Sequence, residues 1–112
     1  MKFMTFAVGG TATWGVVDGA DVVDLGGLAP DLKTAIATGR LAAAATAAAG
    51  APRHPIASVT FLPVVPNPDK ILCVGLNYEM HRKETGRTEV ENPTIFARYA
   101  NSQTGQLADI VR

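Results

Sequence analysis

The sequence predicts an α+β fold: a small β-meander with helical cover, followed by the beginning of a second unit. Three observations predict it. Over the first 25 residues, short β-branched and aromatic runs alternate with glycine-containing turn pairs. Apolar residues then recur at helical spacing between Leu32 and Ala49. Prolines at 52, 55, 63, 66 and 68 break the pattern before a new apolar run opens at Ile71.

The elements follow in order. Lys2 to Val8 and Thr11 to Val17 read as strands joined by Gly9-Gly10, a pair that tolerates positive φ. Asp18-Gly19 then links Gly15–Val17 to Val22–Leu25, and an Asp-Gly pair between β-branched runs is a strong hairpin signal. Three short strands cannot bury both faces alone, so something must cover them. Leu32, Ala35 and Ile36 supply an apolar helical face, with Pro30-Asp31 as the start and Gly39 as the stop. Leu41 to Ala49 is alanine-rich, a good helix former with a weak packing face, and reads as a surface helix or a tether ended by Gly50. Proline withholds a backbone donor, so the stretch from Ala51 to Pro68 reads as a junction poor in ladder, with a short strand at Val59 to Leu62. The expected boundary lies near residue 65, giving a small N-terminal domain over 1–65 and an incomplete second domain over 66–112. In the latter, Ile71 to Leu76 reads as a buried strand, Thr94–Tyr99 as another, and Leu107–Val111 as the start of a third.

Composition narrows the function. A chain of 112 residues with 47% hydrophobic and 18% charged content has the make-up of an ordinary soluble globular protein. Lys plus Arg and Asp plus Glu are both 10, so no basic excess marks a nucleic-acid partner. The longest mostly apolar run, Leu41 to Ala49, is roughly half a membrane span, so no membrane partner is expected. The N-terminus lacks the long apolar region and cleavage site of a signal peptide, so a cytoplasmic location is the default. Cys73 is the only cysteine, which excludes an internal disulfide and a cysteine cluster for zinc. Between Leu72 and Val74 it reads as a buried small hydrophobe. Trp14 reads as a packing residue, and His54, in the proline-rich junction, has no recognisable partner in sequence.

The segment after the buried strand carries the candidate chemistry. Asn77 can cap a short helix over Tyr78 to Glu84, with Thr85-Gly86 as the stop. Residues three apart share a helix face, so His81 and Glu84 can touch. A carboxylate accepting from one imidazole nitrogen fixes the tautomer and makes the other nitrogen a better general base. H-x-x-E alone is common, and a solvated helix on which the two merely coexist fits the spacing equally.

Here the pattern P-x-P-x-K-I-L-C-V-G-L-N-Y-x-x-H-x-x-E closely resembles the opening of the catalytic domain of the fumarylacetoacetate hydrolase family. NPTIFARYANSQTG resembles the strand and loop that follow it, and FAVGGTATWGVVDGADVVDL the small N-terminal domain of bacterial members. The resemblance implies a mixed β-roll catalytic domain of which this chain holds only the beginning. It implies a homodimer and a metal-dependent enzyme acting on 2-oxo or 1,3-dicarbonyl acids. His81 and Glu84 match the family's water-activating pair, and Arg98 stands where relatives place a basic residue near the substrate carboxylate. Mg²⁺ or Mn²⁺ would be held by a Glu-x-Glu pair and an Asp expected beyond residue 112. Glu89 and Glu91 follow the histidine too closely for that pair and read as solvated loop charges. The expected reaction is hydrolytic C–C cleavage of an acylpyruvate or fumarylacetoacetate-type 2-oxo acid, with segment 78–91 as a lid. The alternatives are a tautomerase, decarboxylase or hydratase of related oxo acids, or a non-catalytic truncated interaction module.

Overall fold

The computed structural model describes residues 1–86, 88 and 92–111. It divides the chain into two units: Met1–Pro68 together with the chain from Gln103 on, and Asp69–Ser102. The division thus falls three residues beyond the boundary read from sequence, and the last residues group with the first unit.

The first unit is α+β. Strands β1 (Phe3–Val8), β2 (Thr11–Asp18) and β3 (Asp21–Asp24) form the antiparallel meander. Gly9 and Gly10 take φ of 57° and 84°, the left-handed pair that a two-residue hairpin requires and that suits glycine. The ladder continues through Asp18↔Asp21, so the second turn is Gly19-Ala20, one residue later than the Asp-Gly pair suggested.

Alternation along these strands sends side chains to both faces. Trp14, Val16, Val23 and Leu25 are buried on one, against Ala29, Leu32, Ala35 and Ala44. Met4, Phe6 and Val22 are buried on the other, with Val59. Helix α1 (Leu32–Ala37) starts at Asp31, whose Oδ1 accepts from the Thr34 N–H at 2.6 Å. It docks through Leu32 and Ala35; Ile36, a further 100° around, faces solvent. The alanine-rich stretch is a single 3₁₀ turn, Arg40–Ala43, leading into α2 (Ala44–Ala48). Ala44 is fully buried, and Leu41, Ala47 and Ala48 pack on the same core. The segment is therefore cover rather than tether, because small side chains let it approach the sheet closely.

The proline-rich stretch carries more ladder than expected. It supplies β4 (Arg53–Pro55) and β5 (Thr60–Phe61), which pair with β3 and β1 to give the order β4-β3-β2-β1-β5. Both are edge strands, where proline's missing donor can face outward without cost to a neighbour. His54 acquires a partner by this pairing: its Nε2 lies 4.0 Å from Asp24 Oδ2.

Two substitutions test this packing. A Cβ on Gly15 would stand 1.9 Å from the Val23 carbonyl oxygen and 3.3 Å from Phe6 Cε1. Gly15→Ala is expected to cost about 3 kcal/mol, the upper range of overpacking penalties, read from the denaturant midpoint. The Thr34 hydrogen bonds hold the Asp31 carboxyl below its usual 3.8. A lowered folded value means that its contribution is complete above about pH 4 and lost as pH falls through the depressed value. Asp31→Asn should therefore flatten the acid limb of stability below pH 4 in acid titrations.

In the second unit, β6 (Ile71–Gly75) and β7 (Thr94–Arg98) form an antiparallel ribbon with Ile71 opposite Arg98 and Gly75 opposite Thr94. The strand read as buried is not: Leu72 is 68% and Val74 50% exposed. Among the described residues this sheet has only its two strands, too few to bury a face on their own. The expected third strand at Leu107–Val111 is absent. Leu107 has φ 65°, and the Ala108 N–H donates to the Gly105 carbonyl in a turn. Among the described residues no helix is long and apolar enough to cross a membrane.

Candidate functional site

The chain leaves β6 through Leu76, which takes φ 53°, an unusual conformation for a residue with a γ-branched side chain. Helix α3 (Glu79–Glu84) follows. Its N-cap is the extended Tyr78 with no side-chain hydrogen bond, so Asn77 stands one residue too early to cap it. The first intrahelical bond runs from the Arg82 N–H to the Tyr78 carbonyl at 3.0 Å. Thr85 ends the helix, its N–H donating to the His81 carbonyl, and Gly86 follows with φ 66°. Glu79 in the first turn and Arg82 and Lys83 in the last complement the helix dipole. Lys83 Nζ pairs with Glu79 Oε1 at 2.7 Å, the favourable i, i+4 order.

His81 and Glu84 both fall on α3 and both are exposed. Among the described residues no hydrogen bond or ion pair joins them. The spacing puts them within reach on one face, but the carboxylate does not orient the imidazole in this conformation. Catalytic hydrogen bonds in ligand-free proteins are often unformed and tighten only with substrate.

Arg98 lies elsewhere. At the end of β7 it donates to the Ser102 hydroxyl and carbonyl, and its register partner is Ile71, the first residue of β6. Helix α3 follows the other end of that strand. Four residues of extended chain separate the two ends of β6 by about 14 Å. The ribbon therefore sets Arg98 and the start of α3 at opposite ends.

The segment that opens α3 has a cleft of its own. Leu76, Asn77, Glu79 and Arg82 line a cavity of about 360 Å³ with a mainly polar wall. Arg82 is the one residue of α3 that is not fully exposed. The sequence did not single it out, although its position beside His81 was the available signal.

Among the described residues no group of three His, Cys, Asp or Glu could hold a metal ion. Glu89 and Glu91 lie outside the described residues, as does part of the expected lid over 78–91. Hard divalent cations need several convergent oxygens, so the described donors of this chain do not fit such an ion. Cys73 is half-buried rather than buried, on the open ribbon.

No family model matches the chain. Curated relatives do. The chain is 38% identical over 104 residues to the mitochondrial oxaloacetate tautomerase Fahd2a of Rattus norvegicus, an alignment covering 83% of this chain and 32% of that protein. It is 42% identical over 64 residues to the human mitochondrial oxaloacetate tautomerase FAHD2A, covering 57% of this chain and 20% of that protein. It is 41% identical over 64 residues to fumarylacetoacetate hydrolase domain-containing protein 2 of Pongo abelii, with the same coverage. The chain belongs to the fumarylacetoacetate hydrolase family. It spans about a third or less of the length of these relatives.

Proposed function

We propose that the protein is a tautomerase interconverting the keto and enol forms of a four-carbon 2-oxo dicarboxylate of the oxaloacetate kind. The observation that carries this reading is the activity for which the relatives are named, oxaloacetate tautomerase, at 38–42% identity. These names favour the tautomerase alternative over the hydrolytic C–C cleavage expected from sequence. The exposed pair on α3 is chemically suited to either reaction. Tautomerisation needs only a proton relay. His81 would remove a proton from carbon 3 as the C2–C3 double bond forms, and the 2-oxygen would take a proton to complete the enol; the reverse sequence restores the ketone. Glu84 would support the imidazolium that forms in between. No water need be added and no bond between carbons broken.

Mg²⁺ or Mn²⁺ remains part of the proposal, with ligands from residues other than the described ones of this chain, as does a homodimeric assembly. The test is the enol absorbance of oxaloacetate, followed with the purified protein against the uncatalysed rate. Faster decay of the enol without loss of total oxo acid supports the tautomerase. Release of cleaved products from an acylpyruvate, with no effect on enol decay, would return the hydrolytic reading.

A further inference from the structure

We infer that Leu76 is a positioning residue: its left-handed backbone sets the direction in which α3 leaves β6, and with it the place of His81. This deepens the tautomerase reading and rests on it for the reaction.

The corner between strand and helix is short. Gly75 is the last residue of β6 and is held in the ladder opposite Thr94. Leu76 takes φ 53°. Tyr78 is extended again, at φ −104° and ψ 129°, and α3 begins at Glu79. Leu76 is flanked by glycine and asparagine, the residue types that enter the left-handed region with least strain. Neither is used. The positive φ falls on the leucine between them, whose Cβ crowds the following carbonyl oxygen in that conformation. A strained backbone of this kind persists only where its surroundings over-determine it. Two constraints are visible. The ladder keeps Gly75 extended, and the Leu76 side chain is half-buried at the wall of the cleft, whereas Asn77 and Tyr78 are exposed.

The corner also has leverage over the site. From Leu76 to the start of α3 the chain runs up to roughly 10 Å, so a change of about 20° at the corner would carry the helix about 3 Å. A return of Leu76 from φ 53° to the ordinary region near −60° is a rotation of about 110°. Misplacing a reacting group by about 1 Å can cost 10²-fold in rate. His81 is exposed, so the path of the backbone, rather than packing, decides where its ring stands.

The experiment compares wild type, Leu76→Asn and Leu76→Val by the enol decay of oxaloacetate. Asparagine is chemically the larger change but admits positive φ; valine is the milder change but, being β-branched, resists it. In Leu76→Val, kcat should fall about 10- to 100-fold with KM within about two-fold of wild type, while Leu76→Asn stays within about three-fold in both. A role in packing or in lining the cleft predicts the reverse order, with valine tolerated and asparagine damaging, and that order would overturn the inference. So would equal rates in all three proteins. Leu107, with φ 65° in the first unit, is the matched control. Leu107→Val should leave kcat unchanged; an equal fall there would mean that a left-handed leucine acts through stability alone, against the inference. Nuclear magnetic resonance gives a readout independent of turnover. The intraresidue amide–α-proton contact at residue 76, strong only at positive φ, should persist in Leu76→Asn and weaken in Leu76→Val, with the amide shifts of α3 moving in the valine variant alone. Should wild type not accelerate enol decay, the tautomerase reading fails while these spectra still decide the role of Leu76. Unmoved α3 shifts in Leu76→Val would overturn it.

Discussion

His81→Ala should slow enol–keto interconversion about 10²- to 10⁴-fold, the range that a positioned general base contributes. The side chain is exposed on a helix with no buried residue, so its removal leaves packing untouched. Loss of rate with an unchanged unfolding midpoint would therefore report chemistry. Glu84→Gln is expected to fall between that variant and wild type. Its carboxylate has no bond to His81 in the free protein, and its contribution arises only if substrate draws the two together. Wild-type rates in His81→Ala would remove the histidine from the reaction and leave α3 as a binding element alone.

The largest stability effect is expected at Trp14. It is fully buried at the centre of the sheet, and its Nε1–H donates to the Ala29 carbonyl at 2.7 Å. Phe3 lies beside it, ring centroids 6.1 Å apart. Trp14→Ala removes this contact surface and leaves a cavity beneath α1 and α2, a loss of about 3–5 kcal/mol in chemical denaturation. Trp14→Phe separates the two contributions. It keeps most of the aromatic area but leaves a buried carbonyl without its donor, at about 1–3 kcal/mol. A loss in Trp14→Phe equal to that of the alanine variant would mean that the hydrogen bond, rather than packing, holds the site.

What the sequence disclosed was what local chemistry decides. The Gly9-Gly10 turn, the helix that starts at Pro30-Asp31 and its stop at Gly39 each depend on residues a few positions apart, and each is found where the pattern put it. Pairing between distant segments was harder to read. Prolines at 52 and 55 suggested a junction poor in ladder, yet β4 closes one edge of the sheet because an edge strand has a side on which no donor is needed. His54 gained Asp24 by the same pairing. The apolar run at Ile71 identified a strand but could not reveal how many neighbours it would have, and with β7 alone its side chains stay open. At the candidate site, spacing located His81 and Glu84 on one helix. The ribbon register that sets Arg98 at the opposite end is a property of the fold, and so is the cleft around Arg82.

The path of the chain at Pro68 and Gln103 has one more effect. Gln103 Nε2 donates to the Val65 carbonyl at 3.2 Å, and Gly105 lies so close to the Phe61 carbonyl oxygen that a Cβ there would be 2.0 Å away. Within the first unit, the chain from Gln103 on thus lies against the chain that leads up to Pro68, and closing such a loop costs little more as it lengthens. The excursion that bears α3 is a graft with two roots. Its sequence can drift, lengthen or acquire new specificity while the meander that anchors it keeps its own core.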